Sequence, residues 1–284
     1  MPLSAVALVL LAALCHTTWN LLLKQRSDRL AAQSTALIAA VAWTTPILAV
    51  YSLRDLPPAA WALALASALF ETGYVFALSA AYGAGDLSLV YPVARGSATV
   101  FVVPLAVVLL GERPSPSGLL GIALVLVGVF GSEPGLWRRA PEASGRRRAL
   151  ALALMTGTMT AGYSLVNKVG VGLAAVPLFA YVVFALTVGL VFAIARARGG
   201  ALPLADRARW PAAALMGGLM ITAYLAVLTA MSLAPVSYVV AAREIGVVVA
   251  ALLGRLVLGE AHSGRRLVTA AVIFAGLAVI ALSR

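Results

Sequence analysis

The chain consists of long apolar runs separated by short polar breaks, a pattern typical of proteins that cross a membrane many times. A helix needs about 20 mostly apolar residues to cross the hydrocarbon core of a bilayer. Ten runs reach or approach that length, and the fifth and tenth are the shortest. We therefore predict an all-α membrane protein whose transmembrane helices are Leu3–Leu23, Leu30–Tyr51, Ala59–Tyr82, Leu87–Leu110, Ser117–Gly131, Ala149–Val169, Ala174–Ala195, Trp210–Leu233, Pro235–Leu258 and Arg265–Leu282.

The pattern repeats within the chain. A shift of 148 positions places Leu87–Glu112 on Pro235–Glu260, and Arg95 then falls on Arg243. Each copy contains five predicted helices, and because five is odd the two copies must enter the membrane in opposite senses. The sequence thus predicts two five-helix inverted-topology repeats, an architecture found in many secondary transporters.

A basic, proline-containing segment separates the two copies. We predict a first repeat at residues 1–131, a cytoplasmic linker at 132–148 and a second repeat at 149–284. The first apolar run has no basic segment before it and no small-residue cleavage site, so we interpret it as a transmembrane helix and not as a signal peptide.

Composition supports a membrane protein. The chain is 62% hydrophobic and only 11% charged, whereas soluble domains are roughly 45–50% apolar and about 25% charged. The net charge of +11 comes from basic residues in the loops, so we expect a lipid bilayer and no nucleic acid as partner. The single cysteine, Cys15, excludes an internal disulfide, and we expect it to pack in the core.

The loop charges also predict an orientation. Fifteen Lys and Arg residues fall on one side of the predicted helices and four on the other, namely Arg54, Arg113, Lys168 and Arg284. Basic loops stay in the cytoplasm, so we expect the linker inside and both termini outside.

Charged residues inside the predicted helices are candidates for function. Arg95 lies about 12 Å into the fourth helix, where a charge costs at least about 2.5–3.5 kcal/mol. Glu71 lies near the midpoint of the third helix, and the short connection between these helices leads us to expect the two side chains side by side. They are either a fixed ion pair or the groups that bind the two ends of a charged substrate, and Arg243 and Glu244 offer the same alternatives in the second copy.

Our leading candidate for the substrate anchor is Arg95, because a guanidinium can hold a carboxylate through two parallel hydrogen bonds. In that hypothesis Glu71 binds the ammonium group of the substrate. His16 and Trp19 then close the end of the site that holds the rest of the substrate.

Polar side chains also share faces on the first helix of each copy. His16, Trp19 and Asn20 are spaced i, i+3 and i+4, and Tyr163 and Asn167 show the i, i+4 spacing in the second copy. They either line a shared central cavity or form hydrogen bonds between helices, typically of about 0.6 kcal/mol. The remaining candidates are the tyrosines Tyr74, Tyr82 and Tyr224.

Motifs for metal binding, nucleotide binding and nucleophilic catalysis are absent from the sequence, so we expect no enzyme and no cofactor. Glu112 and Glu260 each follow a glycine at a helix end. We interpret both as structural residues that close the tight loop to the next helix.

Several short motifs along the chain point to a known family. They are H-x-x-W-N-x-x-x-K from His16 to Lys24, Y-P-V-A-R-G-S from Tyr91 to Ser97, A-R-E from Ala242 to Glu244, and the paired Gly-Glu helix ends. Together they resemble the EamA-type drug/metabolite transporters, over essentially the whole chain as two units. The resemblance implies a ten-helix exporter of small metabolites, similar to amino-acid exporters of the YddG kind. It also implies a central cavity lined by the first, third and fourth helices of each half.

We expect a secondary transporter that exports amino acids or related small polar metabolites across a bacterial inner membrane by alternating access. The alternatives are a proton-coupled multidrug antiporter, with Glu71 as the proton carrier, and a translocase of lipid-linked substrates. The expected partner is a small-molecule substrate. The sequence is compatible with a monomer and leaves the substrate, the coupling ion and the oligomeric state open.

Overall fold

The computed structural model describes residues 1–85, 87–132, 144–198, 209–249 and 264–283, and all regular secondary structure within them is helical. The α-helices are α1 (Leu3–Lys24), α2 (Arg29–Thr44), α3 (Pro58–Ala84), α4 (Leu87–Leu110), α5 (Pro116–Gly131), α6 (Ser144–Gly170), α7 (Val176–Ala197), α8 (Trp210–Leu233), α9 (Val236–Ala242) and α10 (Gly264–Leu282). We refer to α1–α5 as the first half and to α6–α10 as the second half.

Most of these helices are built to cross a membrane. Within the described residues, seven segments are long and apolar enough, and they are Leu3–Leu23, Arg29–Ala49, Pro58–Ala84, Val90–Leu110, Gly145–Gly170, Val176–Ala197 and Trp210–Leu233. Two shorter apolar helices, Pro116–Gly131 and Val268–Leu282, occupy the fifth place of each half, where the sequence predicts the shortest runs. The chain is therefore a multi-pass membrane protein.

The second predicted helix ends earlier than the apolar pattern indicates. α2 stops at Thr44, and Thr45–Ala49 continues as a tighter 3₁₀-helix. Pro46 explains the change, because its nitrogen carries no hydrogen and cannot continue the α-helical hydrogen-bond ladder.

Two further boundaries differ from the prediction. α6 begins at Ser144, so the end of the segment predicted as linker is already helical, and residues 133–143 lie outside the described residues. In the ninth predicted helix, α9 is followed by a 3₁₀ turn at Arg243–Ile245 and by α-helical residues 246–249. The predicted remainder of that helix, up to Leu258, lies outside the described residues.

The helices pack mainly against the opposite half. α3 packs against α6 and α7, α4 packs against α6, and α3 and α4 barely touch each other. In the corresponding arrangement, α8 packs against α1 and α2. α6 of the second half thus contacts both α3 and α4 of the first half along much of their length.

The two short helices, α5 and α10, approach each other through small residues. A Cβ atom on Gly121 would lie 2.8 Å from the carbonyl oxygen of Gly276, and one on Gly128 would lie 3.0 Å from that of Thr269. The 148-residue shift relates these two contacts, since Gly121 corresponds to Thr269 and Gly128 to Gly276. Such close backbone approach is typical of helix packing in membranes.

The end of α4 also connects the two halves. Gly111 adopts φ 67°, a conformation that favours glycine, and ends the helix just before Glu112. The Glu112 carboxylate accepts hydrogen bonds from the backbone N–H groups of Val236 (2.6 Å) and Ser237 (3.2 Å) at the start of α9. Glu112 therefore joins the first half to the second instead of closing its own loop, and Glu260 lies outside the described residues.

Both ends of the chain meet at one end of the bundle. The amino group of Met1 donates to the carbonyl oxygen of Ala281 (3.1 Å), in the last turn of α10, and to that of Ser283 (3.3 Å), just beyond the end of α10. The two termini therefore lie on the same face of the protein.

Candidate functional site

A cavity lies between the two halves, near the middle of the bundle. Its volume is about 60 Å³, which is space for several water molecules. α1, α2 and α3 line it from the first half, and α6, α7, α8 and the 3₁₀ turn line it from the second. Eight of the residues that the sequence singles out form part of its wall, namely His16, Trp19, Glu71, Tyr74, Tyr163, Asn167, Tyr224 and Arg243.

A smaller cavity of about 10 Å³ adjoins the first and has room for about one water molecule. Three residues line both cavities, namely His16, Tyr74 and Tyr163. The sequence candidates that line only the smaller one are Asn20, Tyr82 and Arg95. Glu244 lines neither cavity and is only 1% exposed.

Opposite charges face the larger cavity from the two halves. Glu71 of α3 and Arg243 of the 3₁₀ turn both line it, and they attract each other electrostatically without forming a direct ion pair. Among the described residues, neither the Glu71 carboxylate nor the Arg243 guanidinium has a hydrogen-bond partner. Charged groups in a membrane interior normally pair with each other or with backbone groups, so this pair is suited to bind a ligand.

Arg95 pairs with Glu244 and not with Glu71. Its Nε lies 3.5 Å from Oε2 of Glu244, and its Nη2 donates to the carbonyl oxygen of Arg243 at 3.0 Å. The expected contact with Glu71 fails because α3 and α4 each pack on α6 and scarcely meet, although they are consecutive. The guanidinium that the sequence favours as substrate anchor is thus held within the protein.

Both ring nitrogens of His16 lie close to polar side chains. Nδ1 lies 2.7 Å from the amide nitrogen of Asn20, and Nε2 lies 3.3 Å from Nη1 of Arg95. A guanidinium has no acceptor, so Nε2 is the accepting atom of that contact. The ring also stacks on Trp19, with 5.0 Å between the ring centroids and 27° between the planes. His16 therefore forms part of the wall between the two cavities.

Asn167 forms hydrogen bonds between helices of opposite halves. Its Oδ1 accepts from the hydroxyl of Ser67 on α3 (2.6 Å), and its Nδ2 donates to the hydroxyl of Tyr224 on α8 (2.9 Å). Both Asn167 and Tyr224 nevertheless line the larger cavity. The two alternatives drawn from the sequence are therefore not exclusive, since these side chains join helices and also form the wall.

Apart from Gln33, described below, the rest of the wall is apolar or aromatic. Phe184 packs edge to face on Tyr224 with 4.8 Å between centroids, and Tyr74 packs edge to face on Tyr163 at 6.0 Å. Between these pairs the lining consists of aliphatic and thioether side chains, namely Leu37, Val75, Met220, Val227 and Met231. A ligand would thus meet two charges and a mostly apolar surface.

One polar wall residue is missing from the sequence-based candidates. Gln33 of α2 lines the larger cavity and is completely buried, and its Oε1 accepts from the hydroxyl of Ser79 at 3.2 Å. The available signal was a glutamine inside an apolar run. A glutamine in an apolar run can either line a cavity or bond to a neighbouring helix. The sequence does not decide between these, because the packing of α2 against the opposite half is needed to do so.

The EamA-like transporter family model matches residues 3–132 and 147–282, which together are nearly the whole chain. The chain belongs to the EamA-like transporter family. The two matches correspond to the two halves, so this EamA-like chain contains two copies of the family unit. No curated protein matches the sequence.

A solved crystal structure resembles this EamA-like protein in fold. The TM-score is 0.81, the match covers 98% of this chain and 97% of that chain, and the sequences are 18% identical. At this identity the likeness concerns the fold alone, and it extends over both halves.

Proposed function

We propose that this protein is a secondary transporter that exports amino acids, or closely related small zwitterionic metabolites, across a bacterial inner membrane. The cavity between the two halves carries the proposal. Glu71 and Arg243 face it from opposite halves and are not directly paired with each other. An α-amino acid has the matching charges, an ammonium group for Glu71 and a carboxylate for Arg243.

The anchor in this proposal is Arg243 and not Arg95. A buried charge is costly unless it is paired, and Arg95 already has Glu244 and a backbone carbonyl oxygen as partners. Moving Arg95 to a substrate would take away the ion-pair partner of the buried Glu244 carboxylate. Arg243 has no ion pair within the described part of the chain, so it can bind a carboxylate through two parallel hydrogen bonds without giving one up there.

We further propose that the protein has ten transmembrane helices in two inverted repeats that move against each other in alternating access. Three observations support this arrangement. First, α3 packs against the first two helices of the second half, as its counterpart α8 packs against the first two helices of the first half. Second, the 148-residue shift relates the glycine contacts between α5 and α10. Third, both termini lie on one face. The cavity also lies between the halves, which is where transporters of this kind bind their substrates.

The proposal is tested by reconstituting the purified protein in liposomes and measuring the uptake of a panel of radiolabelled amino acids. We expect uptake of amino acids and competition by zwitterions. N-acetylated amino acids and amino-acid amides, which lack one of the two charges, should compete at least tenfold more weakly. Equal competition by these derivatives would contradict recognition of both charges.

The same measurement separates the transporter from a multidrug antiporter. A cation exchanged for protons at Glu71 would need no anionic group, and Arg243 in the same cavity disfavours a lone cation. Transport of cationic dyes driven by a pH gradient, without competition by amino acids, would favour the antiporter.

A further inference from the structure

Gln33 is an unusual residue of the cavity wall. It lies on α2, its side chain is 0% exposed, and its Oε1 accepts a hydrogen bond from Ser79 of α3. Its Nε2 is buried and has no hydrogen-bond partner among the described residues. A buried amide nitrogen without an acceptor is unfavourable, and native proteins rarely keep one without a reason.

The hydrogen bond with Ser79 places the Gln33 amide at a different level of α3 from Glu71. Its partner Ser79 lies eight residues after Glu71 on α3, which corresponds to about 12 Å along the helix. Ser79 fixes one end of the Gln33 amide, so the other end is the part left for a ligand. Gln33 lines the same cavity as Glu71 and Arg243, so it is available to the side chain of a substrate whose charged groups those two residues hold.

We propose that Gln33 determines substrate specificity by donating a hydrogen bond from Nε2 to an oxygen in the side chain of the substrate. This inference rests on the proposed function and narrows it to amino acids whose side chains carry a carbonyl-type acceptor, such as a carboxamide. A site with a buried donor selects ligands that satisfy it, because a ligand without the acceptor leaves the donor unpaired.

The test uses pairs of amino acids with nearly the same shape that differ in the acceptor, asparagine with leucine and glutamine with methionine. For each pair, half-maximal inhibition of transport in liposomes is measured for the wild type and for Gln33→Leu. We expect the preference for the amide member, expressed as the ratio within each pair, to fall by about tenfold in Gln33→Leu, the size expected for one lost hydrogen bond.

Thr35→Val is the matched control. Thr35 lies on the same helix and is 2% exposed, but its hydroxyl bonds the carbonyl oxygens of Ala31 and Ala32 and it does not line the cavity. We expect its ratios to equal those of the wild type. If Gln33→Leu does not yield a monodisperse protein, Gln33→Met provides the same comparison with an unbranched side chain.

The outcomes are distinct. An equal loss of affinity for both members of each pair would overturn the inference, because Gln33 would then bind the common charged groups and not the side chain. Unchanged ratios would also overturn it while leaving amino-acid transport intact. A wild-type protein that transports other amino acids of the panel but neither asparagine nor glutamine would overturn the inference alone. A protein that transports no amino acid of the panel would overturn the proposed function, and the inference about Gln33 with it.

Discussion

Arg95 donates a hydrogen bond from Nη2 to the backbone carbonyl oxygen of Arg243 at 3.0 Å, and these two arginines occupy equivalent positions 148 residues apart. The equivalent residues nevertheless have different surroundings. Arg95 is paired with Glu244, whereas the side chain of Arg243 lines the larger cavity. Arg95 therefore stabilises the 3₁₀ turn by a hydrogen bond, and the side chain of Arg243 extends from that turn to the larger cavity.

The first prediction concerns the ion pair of Arg95 and Glu244. Arg95→Gln should lower the free energy of unfolding by roughly 3–5 kcal/mol, because it leaves the Glu244 carboxylate buried without its partner. The double variant Arg95→Gln/Glu244→Gln should recover most of that loss. Thermal unfolding in detergent measures both effects. A double variant no more stable than Arg95→Gln would show that the unpaired Glu244 carboxylate does not cause the loss of stability.

The second prediction concerns Arg243 as the anchor of the substrate. Arg243→Lys keeps the charge but loses the two parallel hydrogen bonds, so we expect amino-acid affinity to fall at least tenfold with little change in thermal stability. Arg243→Gln should reduce it further. The measurement is half-maximal inhibition of transport in liposomes, and wild-type affinity in Arg243→Lys would exclude a two-point contact with the carboxylate.

The helices could be predicted from the sequence because a span of apolar residues is a local signal. The bounds of α4 and α8 agree with the prediction, and the early end of α2 follows from Pro46. The repeat was also visible, since equivalent residues keep a constant spacing. These features depend only on residues close together in the chain or on a comparison of the chain with itself.

The pairing of charges could not be predicted in the same way. Consecutive helices are expected to be neighbours, which placed Glu71 beside Arg95. Packing between the halves instead sets α6 against both α3 and α4, and Arg95 meets Glu244 of the second half. The composition of the cavity was predicted better than its pairings, because a buried polar residue is visible in the sequence and its partner is not.

The third prediction concerns the contact between α5 and α10. Gly121→Ala should destabilise the protein by roughly 1–3 kcal/mol, because the new Cβ would lie 2.8 Å from the carbonyl oxygen of Gly276. Gly189→Ala on α7 is the control, since nothing lies within 4 Å of its Cβ. Alanine is the better helix former, so the control should be unchanged or slightly more stable in thermal unfolding. Equal effects of the two variants would contradict close packing at Gly121.

The fourth prediction concerns orientation. In a Cys15→Ala background, Leu53→Cys should react with an impermeant maleimide in intact cells, and Ser27→Cys should react only after permeabilisation. Both positions are exposed, and they lie in the connections at opposite ends of α2. The expectation follows from the excess of basic residues on the side of Ser27. The reverse labelling pattern would invert the orientation and leave the repeat unaffected.

The last prediction concerns the movement of the two halves. Ser117 of α5 and Ser232 of α8 are exposed and lie in different halves at the end of the bundle where Glu112 holds the start of α9. If transport requires the halves to move against each other there, a bis-maleimide with a cleavable disulfide that joins Ser117→Cys to Ser232→Cys should stop amino-acid uptake. Cleaving the linker should restore uptake, which separates a blocked movement from a damaged protein. Each single cysteine variant treated with the same reagent should keep its activity. Undiminished uptake in protein shown by its mass to be fully cross-linked would rule out a relative movement of the halves at this end.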